Sequence, residues 1–456
     1  MSHPPDPLLA PLVIDLPPVE RAARMPGGFS AVGTTAGIKV SGRQDFALIV
    51  ADGGPVPAAA VFTPNRFAAA PVQLSRANLR ATGGSELAAG YAHAVIATSG
   101  SANAATGPAG DADQAAIGAA VAAALGIDPN QVLHLSTGVI GTRLPVDKVT
   151  ATIARVAAGG LAATDDALAS AALSLRTTDS TTKMASVRVA LPAAGGGAPV
   201  AVTVSGICKG VGMIHPRMAT MLAVILTNAS ASPATLHALL SPIVQRTWNQ
   251  LTVDGDTSTN DTVFLLASGA AAARPVTATG PEAEALAGAI EAVARSLARA
   301  QAADGEGAST LITCQVSGAA DDADARAVAR SVVGSSLLKA AIHGRDPNWG
   351  RVASAAGNTR LPDEALLEAA GVLHSEAAAR AGRPPKLDVD RLRIAIAGTL
   401  VFAGAPLEFD REAVRGTMEA PEVLIRLDMG LGDGSGEAFG CDLTEGYVIE
   451  NAEYTT

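Results

Sequence analysis

The sequence predicts an α+β fold, with helices layered on largely antiparallel or mixed sheets. Short apolar runs of strand length, such as Phe46-Ala47-Leu48-Ile49-Val50, recur along the whole chain between turn residues. Stretches with Ala, Ile and Leu at helical spacing lie between them, the longest over 281–302 and 322–343. The two kinds are mixed without a strict βαβ rhythm, which argues against a doubly wound parallel sheet.

Taken in order, residues 1–26 carry Pro4, Pro5, Pro7, Pro11, Pro17 and Pro18 and read as a flexible or loosely docked arm. Strands are predicted over 38–40 and 46–50, flanking the polar turn 41–44, and again over 59–62 and 71–74. A buried strand over 94–97 runs into the Gly/Ser/Asn cluster 98–103. A helix follows over 111–125. The strand over 132–135 ends in Ser136-Thr137-Gly138-Val139-Ile140-Gly141. Helices are predicted over 146–158 and 165–175, then Thr177-Thr178-Asp179, a strand over 185–191, a Gly/Ala turn and a strand over 200–204. Beyond the centre come a strand over 222–226, a helix over 233–248 and a strand over 262–267. The long helix 281–302, a strand over 311–316 and the helices 322–343 and 364–381 come next. Strands return over 393–397 and 423–428. The run Gly432-Asp433-Gly434-Ser435-Gly436 has no helix pattern after it and makes a poor phosphate cradle.

The chain has 456 residues, 48% hydrophobic and 17% charged, a globular balance with room for more than one domain. Aromatics are only 3%, so the core has to be built from Ala, Val, Leu and Ile. The net charge of −10 is spread without a basic stripe, which excludes nucleic acid as a natural partner. Cys208, Cys314 and Cys441 are too far apart in sequence for a CxxC site and fit a reducing compartment. The N-terminus lacks the basic-then-apolar pattern of a signal peptide, and no apolar run reaches membrane-helix length. A cytoplasmic protein without metal or resident cofactor is expected.

The chemistry concentrates in Lys209-Gly210-Val211-Gly212-Met213-Ile214-His215-Pro216-Arg217-Met218-Ala219-Thr220-Met221-Leu222. A hydroxyl residue after a small one, just past a Gly- and Pro-rich turn, suits self-cleavage. The Thr220 hydroxyl would attack the Ala219 carbonyl, and water would release two chains. The new N-terminal Thr220 would carry a nucleophilic hydroxyl together with an α-amine of pKa about 8, able to take its proton. The oxygen-rich loop 254–261 lacks the central Gly and closing Glu of a calcium loop and reads as a polar turn near the site.

This run resembles the Lys-Gly-x-Gly-Met-Ile-x-Pro-x-Met-Ala-Thr-Met-Leu hallmark of the ornithine acetyltransferase family, also called glutamate N-acetyltransferase. Further segments are similar to the family in the same order: 136–141, 177–179, Asp304-Gly305-Glu306-Gly307-Ala308, Asp346-Pro347-Asn348-Trp349-Gly350-Arg351, 440–444 and 451–456. Val211 and Arg217 depart from the commoner family residues. The resemblance implies an N-terminal-nucleophile-like, self-processing architecture. Residues 27–219 would form an alpha chain and 220–456 a beta chain, assembled as a heterotetramer of two copies of each. It also implies Thr220 as nucleophile, Thr137 and Gly138 as oxyanion hole, and Thr177, Lys209, Glu306, Asn451 and Thr456 as substrate contacts. The implied reaction moves acetyl from N-acetylornithine to glutamate in arginine biosynthesis. Acetyl-CoA is a second donor that some family members use. The competing readings are a self-processing amidase or peptidase with water as acceptor, and a binding protein without catalysis.

Overall fold

The computed structural model describes residues 8, 12, 14–215 and 221–453. A strand that is apolar nearly throughout has to be covered on both faces. Leu222–Thr227 and Thr262–Ala267 are such strands, and every residue in them is buried. They pair in parallel at the centre of a six-stranded sheet. Val56–Phe62 and Ala89–Ala92 extend that sheet on one side, and Val200–Lys209 and Lys183–Leu191 on the other.

Period-2 alternation sends the two faces of the central sheet into different cores. Val61, Ala223, Ile225, Val263 and Leu265 pack under the helices Pro233–Arg246 and Pro281–Ala303. Phe62, Leu222, Val224, Leu226, Phe264 and Leu266 face the opposite way. There they meet Leu79 of the helix Ala70–Gly83 and Leu168, Ala171 and Ala172 of the helix Asp165–Leu175. The same core takes in residues of a four-stranded sheet: Phe29–Thr34, Phe46–Ala51, Ala94–Ser101 and Val132–Val139. A third sheet is built from Leu251–Thr252, Gly434–Cys441, Leu311–Ala319, Glu422–Asp428, Arg393–Ile396 and Thr399–Ala403. It packs its own core against the helices Asp322–Val333 and Ser336–His343. Parallel and antiparallel pairings coexist in each sheet, so the fold is α+β with mixed sheets.

Several expected elements are corrected. Residues 38–40 are not a strand. The Asp45 carboxylate accepts hydrogen bonds from the amides of Ala36, Ile38 and Lys39, which curls the segment around one side chain. Residues 71–74 form the first turn of the helix Ala70–Gly83, where a proline is tolerated because its missing N–H has no partner to lose. The helix expected over 322–343 breaks at Gly334, and Ser335 caps the second piece by accepting from Leu338 N. The one expected over 364–381 is likewise two helices, Glu364–Ala369 and His374–Arg380. The Gly-rich stretch near 434 is a strand. The strands expected to stop at 97, 135 and 204 run on to Ser101, Val139 and Lys209.

The described part of the N-terminal arm lies against the body. Glu20 and Ser186 exchange backbone hydrogen bonds at 2.9 and 2.8 Å, and Asp165 accepts from Met25 N at 2.7 Å. Cys208, Cys314 and Cys441 are buried free thiols. No helix among the described residues is long and apolar enough to cross a membrane.

Candidate active site

The strand extensions missed from sequence are what bring the candidate residues together. Ala94–Ser101 and Val132–Val139 run parallel, and their pairing carries Thr137 and Gly138 to the end of the four-stranded sheet. Gly138 has φ +128°, and a Cβ there would lie 2.4 Å from the Gly100 carbonyl carbon. Only glycine permits that approach. The loop from 258 is stitched to the same place. Asn260 Nδ2 donates to Ala102 O at 2.7 Å and to Ser136 O at 2.9 Å.

Lys209 ends the strand Val200–Lys209. Its backbone carbonyl accepts from Gln301 Nε2 at 2.9 Å, and Gln301 is itself held by Trp248 Nε1 at 2.9 Å. Its Nζ donates to Thr137 Oγ1 at 3.2 Å. The ammonium is buried, and burial pulls its pKa below the usual lysine range although Asp179, Glu306 and Asp261 oppose the shift. Cys208 beside it is buried, and burial pushes its thiol up, which makes it a packing residue rather than a nucleophile.

Glu306 follows the helix Pro281–Ala303 and is tied to the central run by its own N–H, which donates to Val211 O at 2.9 Å. Thr178 Oγ1 donates to Glu306 Oε1 at 2.7 Å, and Asn451 Nδ2 donates to Oε2 at 2.9 Å. A Cβ on Gly212 would sit 2.1 Å from Glu306 Oε2, so the carboxylate occupies space that only glycine leaves open.

Two carboxylates outside the expected site set hold its walls. Asp179 Oδ1 accepts from Lys183 Nζ at 2.8 Å and from Gly210 N at 2.9 Å, while Oδ2 accepts from Thr177 N at 3.1 Å. Asp254 accepts from Met213 N at 2.5 Å and Ile214 N at 2.8 Å. Sequence reasoning placed Asp179 in a substrate loop and Asp254 in a polar turn, but gave neither its partners. Thr178 and Asn260 were named only as members of the segments 177–179 and 254–261, and Gln301 was not singled out at all. The contacts that draw them to the site, with Glu306, Ser136 and Lys209, span more than ninety positions, so no local pattern marks them.

Thr137, Gly138, Thr177, Lys209, Glu306 and Asn451 all line one cavity of about 160 Å³. Ala219, Thr220 and Thr456 lie outside the described residues. A larger cavity of about 980 Å³, running from His215 to Arg326 and Leu366, contains none of the expected site residues. Of these two cavities, the smaller is the one where a buried lysine, a fixed carboxylate and a glycine-lined strand end meet among the described residues. His215 is engaged structurally, its Nδ1 at 2.9 Å from Thr252 Oγ1 and its carbonyl accepting from Thr257. Among the described residues, Glu364, Glu368 and His374 are the one cluster of metal-binding size, and none of them lines the smaller cavity.

A family model described as the ArgJ family matches residues 30–456. The chain belongs to the ArgJ family. It is 43% identical over 441 residues to the arginine biosynthesis bifunctional protein ArgJ of Synechococcus sp., covering 94% of this chain and 96% of that protein. The same-named protein of Thermus thermophilus is 42% identical over 435 residues, covering 95% and 100%. Among solved structures, the arginine biosynthesis bifunctional protein argJ of Bacillus halodurans is 36% identical. Its TM-score is 0.43, with 50% of this chain and 96% of that chain covered. The ornithine acetyltransferase of Mycobacterium tuberculosis, complexed with ornithine, is 37% identical. Its TM-score is 0.38, with 45% of this chain and 99% of that chain covered.

Proposed function

We propose that this ArgJ-family chain is a self-processing acetyltransferase of arginine biosynthesis, moving acetyl from N-acetylornithine to glutamate through an acetyl ester on Thr220. The observation that carries the reading is that six residues expected from widely separated motifs line one small cavity. Family membership and the bifunctional relatives support the reaction class.

In this scheme the Thr220 hydroxyl loses its proton to the free α-amine and attacks the acetamide carbon. The negative charge on the acetamide oxygen is met by Thr137 and the Gly138 region. Lys209 already donates to Thr137 Oγ1, which leaves the Thr137 O–H to be given to that oxyanion. Collapse of the intermediate expels ornithine, whose leaving nitrogen takes the proton. Glutamate then attacks the acetyl ester, giving N-acetylglutamate and restoring Thr220. Glu306, fixed by Thr178 and Asn451, is suited to a substrate ammonium, and Lys209 to a carboxylate.

The same reading gives a cytoplasmic enzyme of N-terminal-nucleophile type, with two chains from one precursor, two copies of each, and a tail ending in Thr456 that closes the site. No resident cofactor is needed, and acetyl-CoA is a second candidate donor. Intact-mass measurement is expected to find chains of 219 and 237 residues. Thr220→Ala is expected to remain uncut and to lose transfer by about 10³-fold or more. A Thr220→Ala protein that still cleaves and transfers acetyl would sink the reading. Free acetate in place of N-acetylglutamate would favour the amidase instead.

A further inference from the structure

Thr177, Lys209 and Glu306 come from three separate segments that meet at one buried charged cluster, formed by Asp179, Lys183 and Asp304. Thr177 and Glu306 each lie two positions from one of its members, and Gly210, next to Lys209, donates its amide to Asp179. Lys183 Nζ bonds Asp179 at 2.8 Å and Asp304 at 2.6 Å, with Lys183 and Asp179 almost completely buried. Asp304 in turn accepts from Ser180 N at 3.1 Å and Thr181 N at 3.3 Å, closing the loop 177–183 onto the segment that carries Glu306. The Gly210 amide, next to Lys209, and the Thr177 amide both end on Asp179. One carboxylate therefore sets the backbone on two sides of the cavity.

We propose that Asp179 is a positioning residue of the acetyl-transfer site. It fixes Thr177 and the Lys209–Gly210 turn through its two oxygens, with Lys183 as its ion-pair partner. The assignment rests on the function proposed above for its meaning, but its geometry can be tested without it.

The charges around Lys209 set the sign. The carboxylates of Asp179, Glu306 and Asp261 favour its charged form, whereas Lys183 and Lys39 oppose it, on top of the cost of burial. Removing the Asp179 charge takes away the first of those supports. Neutral Lys209 can neither hold a substrate carboxylate nor donate as strongly to Thr137.

The test is Asp179→Asn in the full chain, with two readouts. Asparagine has one acceptor oxygen where aspartate has two, so one of the two amides faces an N–H₂ group. Hydrogen exchange is expected to rise in peptides covering 177–183 and 209–215, with no change in the central sheet strand Thr262–Ala267. Unchanged exchange overturns the positioning role, whatever the enzyme catalyses. In the acetyl-transfer assay, kcat/KM is expected to fall about tenfold or more. Its basic limb is expected to move down by about one pH unit, the usual size of a lost neighbouring charge. A merely structural role would lower the melting temperature and leave that limb in place, which overturns any influence of the Asp179 charge on Lys209. Should the single variant not fold, Asp179→Asn combined with Lys183→Met removes both charges together, a change buried pairs tolerate better than loss of one partner. The same exchange pattern is expected there, and its absence counts equally against the positioning role; the limb shift is expected to be smaller than in the single variant, because Lys183 no longer opposes the charge on Lys209. A wild-type protein that transfers no acetyl sinks the proposed function but leaves the exchange result to decide Asp179.

Discussion

Two acidic loops flank the turn from Lys209 to Ile214, and burial acts on them with opposite results. In the loop 177–183, Asp179 is buried at a cost, yet Lys209 and Lys183 more than offset it and hold its pKa down to about 2. In the loop 253–257, burial dominates for Asp254. Its backbone hydrogen bonds only partly offset it, neighbouring Asp256 adds to it, and its pKa rises above the usual range. Both carboxylates accept amide hydrogen bonds from the same turn. The difference is one of balance: two lysines outweigh burial at Asp179, whereas burial and Asp256 prevail at Asp254 although the buried Lys339 lies nearby, and it makes one an anion and the other a group that can take up a proton.

The largest expected effect comes from breaking the first loop. Lys183→Met leaves Asp179 and Asp304 with less compensation in a buried site, and a loss of about 3–5 kcal/mol is expected in denaturant titration. A loss under about 1 kcal/mol would put the loop in the class of ordinary surface pairs. The second effect is one of sign. Asp179 has a depressed folded-state pKa, so its contribution is present above about pH 4 and is lost as the pH falls toward about 2. Asp254 has a raised one, so its contribution is present below about pH 4 and is lost as the pH rises through its folded value. The stability difference between wild type and Asp254→Asn should therefore shrink as pH rises, opposite to the trend for Asp179→Asn. Parallel slopes would end the contrast. Near neutral pH, Asp254→Asn is expected to cost only about 1 kcal/mol, the worth of a hydrogen bond. Smallest is Tyr447→Phe. The phenol hydrogen-bonds Asp254 and its pKa is pushed up to about 12, first by burial and then by the neighbouring carboxylates. Its removal should cost well under 1 kcal/mol and shift only the Asp254 slope.

Much of this was legible in the chain. The apolar runs at 46–50, 222–226 and 262–267 and the helices at 165–175 and 281–302 stand close to where periodicity put them. The site residues Thr137, Thr177, Lys209, Glu306 and Asn451 were named from motifs and line one cavity. What escaped has a common physical cause. Asp45 curls residues 36–39 by hydrogen bonds that no hydrophobic pattern encodes. The residues at 99–101 and 136–139 look like turns because most are small or polar, and the strand expected over 200–204 stops short of 205–209, yet pairing with neighbouring strands keeps all three stretches extended. Asp179 and Lys183 are four residues apart, a spacing common on any polar surface. Asp304, the third member, lies 121 positions from Lys183. Only the fold makes them a buried cluster.

The strands Val200–Lys209 and Leu222–Thr227 pair antiparallel from Val204↔Thr227 to Lys209↔Leu222. The proposed scission lies in the connection between them. The ladder itself spans the break, and Asp254 grips Met213 and Ile214 from the far side of it. Cutting one peptide bond there leaves every one of these contacts in place and alters only the unfolded state, which becomes two free molecules. Unfolding the processed protein is then a dissociation. Its melting temperature should rise with protein concentration more steeply than that of the uncut Thr220→Ala chain, which unfolds into half as many molecules.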